Sequence, residues 1–103
     1  METEQGKVES TLATTLLGLA DEIGANLVIT RRPKQGGHFT CFFEHAETKR
    51  DEYDYSLAST RGKGCSLEEA MADYAAQIRG KVLVFDARTP YRKEFHVSFA
   101  LVS

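Results

Sequence analysis

Tryptophan is absent from this chain, and cysteine, proline and methionine occur twice each. Cys41 and Cys65 form no CxxC spacing, which excludes a zinc knuckle and a disulfide framework. Both are expected as reduced thiols packed as small hydrophobes, Cys41 within an apolar strand pattern and Cys65 just before a helix cap. Reduced thiols point to a reducing compartment. No apolar run approaches the ~18 residues of a membrane span, and METEQGKVES lacks the basic-then-apolar order of a signal peptide. The expectation is a cytoplasmic protein. Neither sign of charge dominates: 13 Lys and Arg stand against 15 Asp and Glu, for a net charge of −2. This excludes a surface that coats nucleic acid throughout, and it leaves room for a local basic patch.

What is present is the composition of an ordinary globular domain, 42% apolar and 27% charged over 103 residues. That length suits one core and not two. Residues 1–9 are polar and expected to be flexible; residues 10–103 are expected to form a single domain. The best-defined stretch is RGKGCSLEEAMADYAAQIRG. Ser66 is an N-cap, and Glu69 is placed to reach back to the Ser66 backbone N–H and close a capping box. Leu67, Ala70, Met71, Tyr74, Ala75 and Ile78 then fall on one stripe, and Gly80 provides a left-handed stop. A second helix is expected over residues 10–24, from Leu12, Leu16, Leu19, Ala20 and Ile23 and the stop at Gly24.

Between the helices the period changes to two. Strands are expected from Asn26 to Arg32, from His38 to His45, and over Tyr53, Tyr55 and Leu57, the two tyrosines facing the core. After Gly80, the apolar run Val82–Phe85 suits a strand buried on both sides or one covering an otherwise open edge, and Phe95, Val97, Phe99 and Leu101 alternate as the last strand. The fold class is therefore α+β in the order α-β-β-β-α-β-β, an antiparallel sheet with both helices packed on one face. Gly62 and Gly64 are read as a turn needing positive φ.

That order, with Gly62, Gly64, Ser66, Ala70 and the pair Ala75-Ala76, resembles the double-stranded RNA-binding domain and its GxGxSxxxAxxxAA stretch. The resemblance implies that family's fold. Where the family places basic residues at the start of the helix, this chain has Leu67, Glu68, Glu69 and Met71, and carboxylates there repel phosphate. GKGCSLEEAMADYA is also similar to the helix start of the HicB-type antitoxin domain, without that family's DNA-binding tail. The second half, with IRGKVLVFDA and a Pro-turn strand, resembles small proteins of tailed bacteriophages that carry no assigned chemistry. This implies a phage-encoded protein working in the host bacterial cytoplasm.

No catalytic constellation is visible. His38, His45 and His96 have no metal-ligand spacing. No base is placed to activate Ser66 or Cys65, and the glycines match no phosphate-loop pattern. The chain is read as a non-enzyme without metal or cofactor. Its candidate sites are basic. Arg31, Arg32 and Lys34 form one group and Arg61 and Lys63 another, and a meander brings the two to one end as a cationic patch. A third group, Lys49 and Arg50, is diluted by Asp51, Glu52 and Asp54. Arg88, Arg92 and Lys93 surround Tyr91 on the last turn, and arginine beside tyrosine is the composition of a protein–protein hot spot. Phe42 points away from Phe39 and Phe43, either covered by the terminal strand or marking an interface.

The resulting expectation is a small binding protein that docks on a host or phage protein, with dimerisation through a strand edge left open. The alternative is a nucleic-acid-binding module that uses the Arg31/Arg32/Lys34 and Arg61/Lys63 groups.

Overall fold

A computed structural model describes residues 7–8, 14–32 and 38–103. Its elements run β1 (Lys7–Val8), α1 (Leu16–Ile23), β2 (Leu27–Arg32), β3 (His38–Phe43), β4 (Ala46–Lys49), β5 (Gly62–Gly64), α2 (Leu67–Ile78), β6 (Val82–Phe85) and β7 (Lys93–His96). The α+β class holds, with two helices and mainly antiparallel strands. The strands form two sheets, not one: β2-β3-β5, and β1-β7-β6-β4 with β1 parallel to β7. Apart from Lys7–Val8, the amino-terminal stretch expected to be flexible lies outside the described residues.

α2 forms as its sequence dictates. The Ser66 hydroxyl accepts the Glu69 N–H at 3.1 Å, and the Glu69 carboxylate accepts the Cys65 N–H at 2.9 Å, one residue earlier than expected. Gly80 has φ +75. The stripe is buried as its spacing predicts, with Ala70, Tyr74, Ala75 and Ile78 at 2% exposure or less. α1 starts at Thr15, whose hydroxyl accepts the Gly18 N–H, and ends on Gly24 at φ +69. Leu16 and Leu19 enter the same core as the α2 stripe, with Cys41, Phe43, Leu83, Val97 and Leu101. Ring contacts Tyr74–Phe43 at 5.5 Å, Phe43–Phe85 at 6.3 Å and Phe85–Phe95 at 5.7 Å run from one sheet to the other.

The third strand differs from expectation. Residues 53–57 do not form a strand, and Tyr53 and Tyr55 are 78% and 95% exposed instead of facing the core. Asp51 accepts the Tyr53 N–H at 2.9 Å, and Asp54 accepts the N–H groups of Ser56 at 3.0 Å and Arg50 at 3.1 Å. These local bonds compete with a ladder and win. They also hold the Asp54 carboxyl below its usual range, the Ser56 N–H first and the Arg50 N–H second.

The place beside β3 is taken by β5, the GKG stretch read as a turn, which pairs through Cys41↔Gly62, Thr40↔Lys63 and Phe39↔Gly64. Neither glycine has positive φ. Their role is close approach. A Cβ on Gly62 would overlap the Ala70 carbonyl oxygen and Tyr74 Cβ, and one on Gly64 would overlap the backbone of Glu69 and Ala70. α2 thus rests directly on the strand. β5 stops short of pairing with Phe43, and the Tyr74 hydroxyl accepts the Phe43 N–H there at 3.0 Å. Burial pushes the Tyr74 phenol up to about 12, against the opposing effect of that hydrogen bond.

The last strand is shorter than expected. Val97 and Leu101 are buried, but Phe99 is 81% exposed, its ring lying on Gly80. In the second sheet, Lys49 is buried with its ammonium 3.3 Å from the Glu94 carboxylate and 3.4 Å from the Glu52 carbonyl. Arg92 bonds the same carboxylate oxygen at 2.9 Å. Burial works against ionisation of Glu94, but the hydrogen bonds and charges of Arg92 and Lys49 outweigh it and hold the carboxyl below its ordinary value.

Two outcomes follow from this packing. Gly62→Ala lowers unfolding stability by about 3 kcal/mol, because backbone and Cβ atoms cannot give way, and urea denaturation measures it. Glu94→Gln costs roughly 2 to 3 kcal/mol by leaving the Lys49 ammonium without a charge partner. Because the Glu94 carboxyl is lowered on folding, its contribution is present above the unfolded value of about 4.3 and is lost as pH falls through the folded one. The wild-type protein therefore loses stability on acidification over that window more steeply than the Gln variant.

Candidate functional site

The site is built on the face of the β2-β3-β5 sheet opposite α2. The register Val28↔Phe42, Thr30↔Thr40 and Arg32↔His38, with Thr40↔Lys63, places these side chains on one side by alternation. The side toward α2 carries Cys41 and Phe43. The Thr30 and Thr40 hydroxyls share a hydrogen bond. The Arg61 guanidinium lies 4.3 Å from the centre of the Phe42 ring, so Phe42 is covered by an arginine and not by the terminal strand.

β5 is held from its outer edge by α2. Asp73 accepts the Lys63 N–H at 2.9 Å, and Gln77 donates to the Arg61 carbonyl at 2.8 Å and to Asp73 at 2.9 Å. These side chains do for β5 what a further strand would do. Both cationic residues therefore stand on a clamped backbone. With Arg32, His38, Thr40, Cys65 and Glu69 they line a groove of about 650 Å³. Arg61 also borders a second cavity of about 390 Å³ where the two sheets meet, lined by Phe42, His45, Glu47, Thr60, Asp86 and Arg88 among others.

The two basic groups expected to meet do so in part. Arg32, Arg61 and Lys63 share the groove, whereas Arg31 falls on the other side of β2, 5.7 Å from the Phe39 ring centre. Lys34 lies outside the described residues. The Arg88, Tyr91 and Arg92 cluster divides. Arg88 borders the cavity, Tyr91 is exposed at the tip of the β6–β7 turn, and Arg92 is engaged with Glu94 and the Ala87 carbonyl. Among the described residues, the side chains of Arg32, Lys63 and Arg88 have no ion-pair partner.

Thr30, Thr40, His38, Glu47, Thr60 and Asp86 were not singled out by the sequence. The alternation of residues 28–32 and 38–42 was the available signal for the first three. Those beyond the sheet were invisible without the approach of the β6–β7 turn. His45 leaves β3 altogether, in a turn at φ 65. No group of three or more His, Cys, Asp or Glu gathers to hold a metal among the described residues, and none of their helices is long and apolar enough to cross a membrane.

The two thiols differ. Cys41 is buried, donates to the Ala70 carbonyl at 3.3 Å and is pushed up to about 11 by burial, with a smaller effect of Asp73. Cys65 is exposed in the groove, contrary to the packed position expected for it. Titration with an aromatic disulfide reagent at mildly alkaline pH therefore modifies Cys65 alone in the native protein and both thiols in denaturant. Rapid native modification of both would contradict the packing of Cys41. Comparison with protein-family models, with curated proteins and with solved structures finds no match for this chain.

Proposed function

We propose that the chain is a non-enzymatic binding module whose ligand is a single strand of nucleic acid lying across the β2-β3-β5 face. The observation that carries this reading is the gathering of Arg32, Arg61 and Lys63 on one groove beside paired threonine hydroxyls and the Phe42 ring. Unpaired cations supply the phosphate contacts that dominate such affinity, and the one O–H that the Thr30–Thr40 hydrogen bond leaves free adds a donor to a phosphate oxygen. The guanidinium stacked on Phe42 offers a planar cationic surface to a base. Glu68 and Glu69 in the first turn of α2 disfavour phosphate at that end of the groove, which favours a path over Arg32, Arg61 and Lys63 on the sheet face. The overall charge of −2 agrees with a local contact and not with general coating.

A second reading, docking of a protein partner or a second copy, draws on β2. Its sheet order leaves it paired on one side by β3, with no strand on its other edge among the described residues. Such an edge accepts an added strand.

Fluorescence anisotropy with labelled oligothymidylate separates the two readings. The first expects binding whose log affinity falls with log salt at a slope of about −2 to −3, as for three or four phosphate contacts on a single strand. Arg32→Glu with Lys63→Glu abolishes it without changing thermal stability. Absence of binding at low salt removes the nucleic-acid reading and leaves the strand-edge one.

A further inference from the structure

The cavity where the sheets meet carries charges of both signs in equal number. Arg61 and Arg88 supply two guanidinium groups, and Glu47 and Asp86 two carboxylates. None of the four ion-pairs with another or with any other described residue. Opposite charges that line one space without closing on each other suit a ligand that carries both donors and acceptors. The wall is also held in an unusual backbone. His45 and Asp86 both have positive φ, 65 and 52, and the Asp86 N–H donates to the His45 carbonyl at 3.1 Å. Two non-glycine residues in that region cost conformational energy, and such strain concentrates at binding sites. The volume of about 390 Å³ lies within the range of small-molecule sites, roughly 300 to 1,000 Å³.

We infer that this cavity takes one guanine nucleotide, its phosphate held at the rim by Arg61 and Arg88 and its base read by the half-buried Glu47. Arg61 borders both the cavity and the groove, so a strand lying on the sheet can send one nucleotide past it. The inference rests on the strand-binding reading for the origin of its ligand. The preference for guanine comes from the chemistry of a carboxylate, which accepts two parallel N–H bonds and donates none. Guanine presents N1–H and the exocyclic amino group side by side. Adenine and cytosine set an acceptor nitrogen beside their amino group, and uracil and thymine flank their single N–H with carbonyl oxygens. Each of these turns an acceptor toward the carboxylate. Asp86, the other carboxylate, is exposed and stands with the hairpin at the rim.

The test is a titration of the whole chain with 5′-GMP and, separately, 5′-UMP, followed by amide chemical shifts. GMP is expected to move the amides of Thr60, Arg61, Ala87 and Arg88 and to bind about ten-fold more tightly than UMP, the discrimination of one bidentate base contact. Glu47→Gln removes that preference. Equal affinity for the two nucleotides, or shifts confined to other surfaces, overturns the inference on the wild-type protein alone, whatever the variant does to folding. Oligothymidylate binding without a GMP preference overturns the cavity assignment and leaves the sheet-face reading standing. A GMP preference without oligothymidylate binding supports the cavity and removes that reading. An oligothymidylate carrying one guanine, bound more tightly than its parent, places the preference within a strand.

Discussion

A helix can rest directly on a strand only where the strand has no side chains to hold it off, and the arrangement of this protein depends on that contact. Gly62 and Gly64 let the Ala70 turn of α2 touch the β5 backbone. From this approach follow the Tyr74 hydroxyl on the Phe43 N–H, the Cys41 thiol on the Ala70 carbonyl, and the grip of Asp73 and Gln77 on the outer edge of β5. Polar groups buried at such a contact are costly unless each finds a partner, and here they do. The ring contacts from Tyr74 through Phe43 and Phe85 to Phe95 carry the same packing into the second sheet.

The contact sorts the residues of β5 by face. The glycines go toward the helix, so Lys63 between them, and Arg61 before them, are turned to the opposite side. There they meet Arg32 and His38 from the neighbouring strands. Lys49 and Arg92 are engaged with Glu94 and Arg50 with Asp51, whereas Arg32, Arg61 and Lys63 on this face have no carboxylate partner among the described residues. A fold that clamps its cations from behind by the backbone and leaves their heads unpaired keeps them available for a ligand at small conformational cost.

Much of this was legible in the residues because it is local. The caps Ser66 and Gly80, the stop at Gly24 and the alternation of β2 and β3 are read within a few positions of themselves, and each stands where its chemistry calls for it. The third strand was not legible, because strand patterns are carried by side chains and GKG has one. The tyrosines of DEYDYSL imitate a strand, and only the reach of Asp51 and Asp54 to nearby N–H groups shows why they do not form one. The cationic groove depended on that same missing strand. Arg61 and Lys63 read as loop residues until β5 pairs with β3, and the register then puts Lys63 opposite Thr40. The parting of Arg31 from Arg32 was available from alternation alone; the separation of Arg88 from Arg92 was not, since it turns on the partner that Glu94 provides.

The central claim is that close helix–strand contact on one face of the small sheet leaves the other as a surface for a nucleic-acid strand. Mapping the methyl and ring resonances of Val28, Thr30, His38, Thr40 and Phe42 during addition of oligothymidylate tests it most directly. The account predicts that these side chains shift together while Leu67 and Met71, on the helix, stay in place. Shifts gathered on Leu67 and Met71, or none on the sheet face while the oligonucleotide is bound, would contradict it.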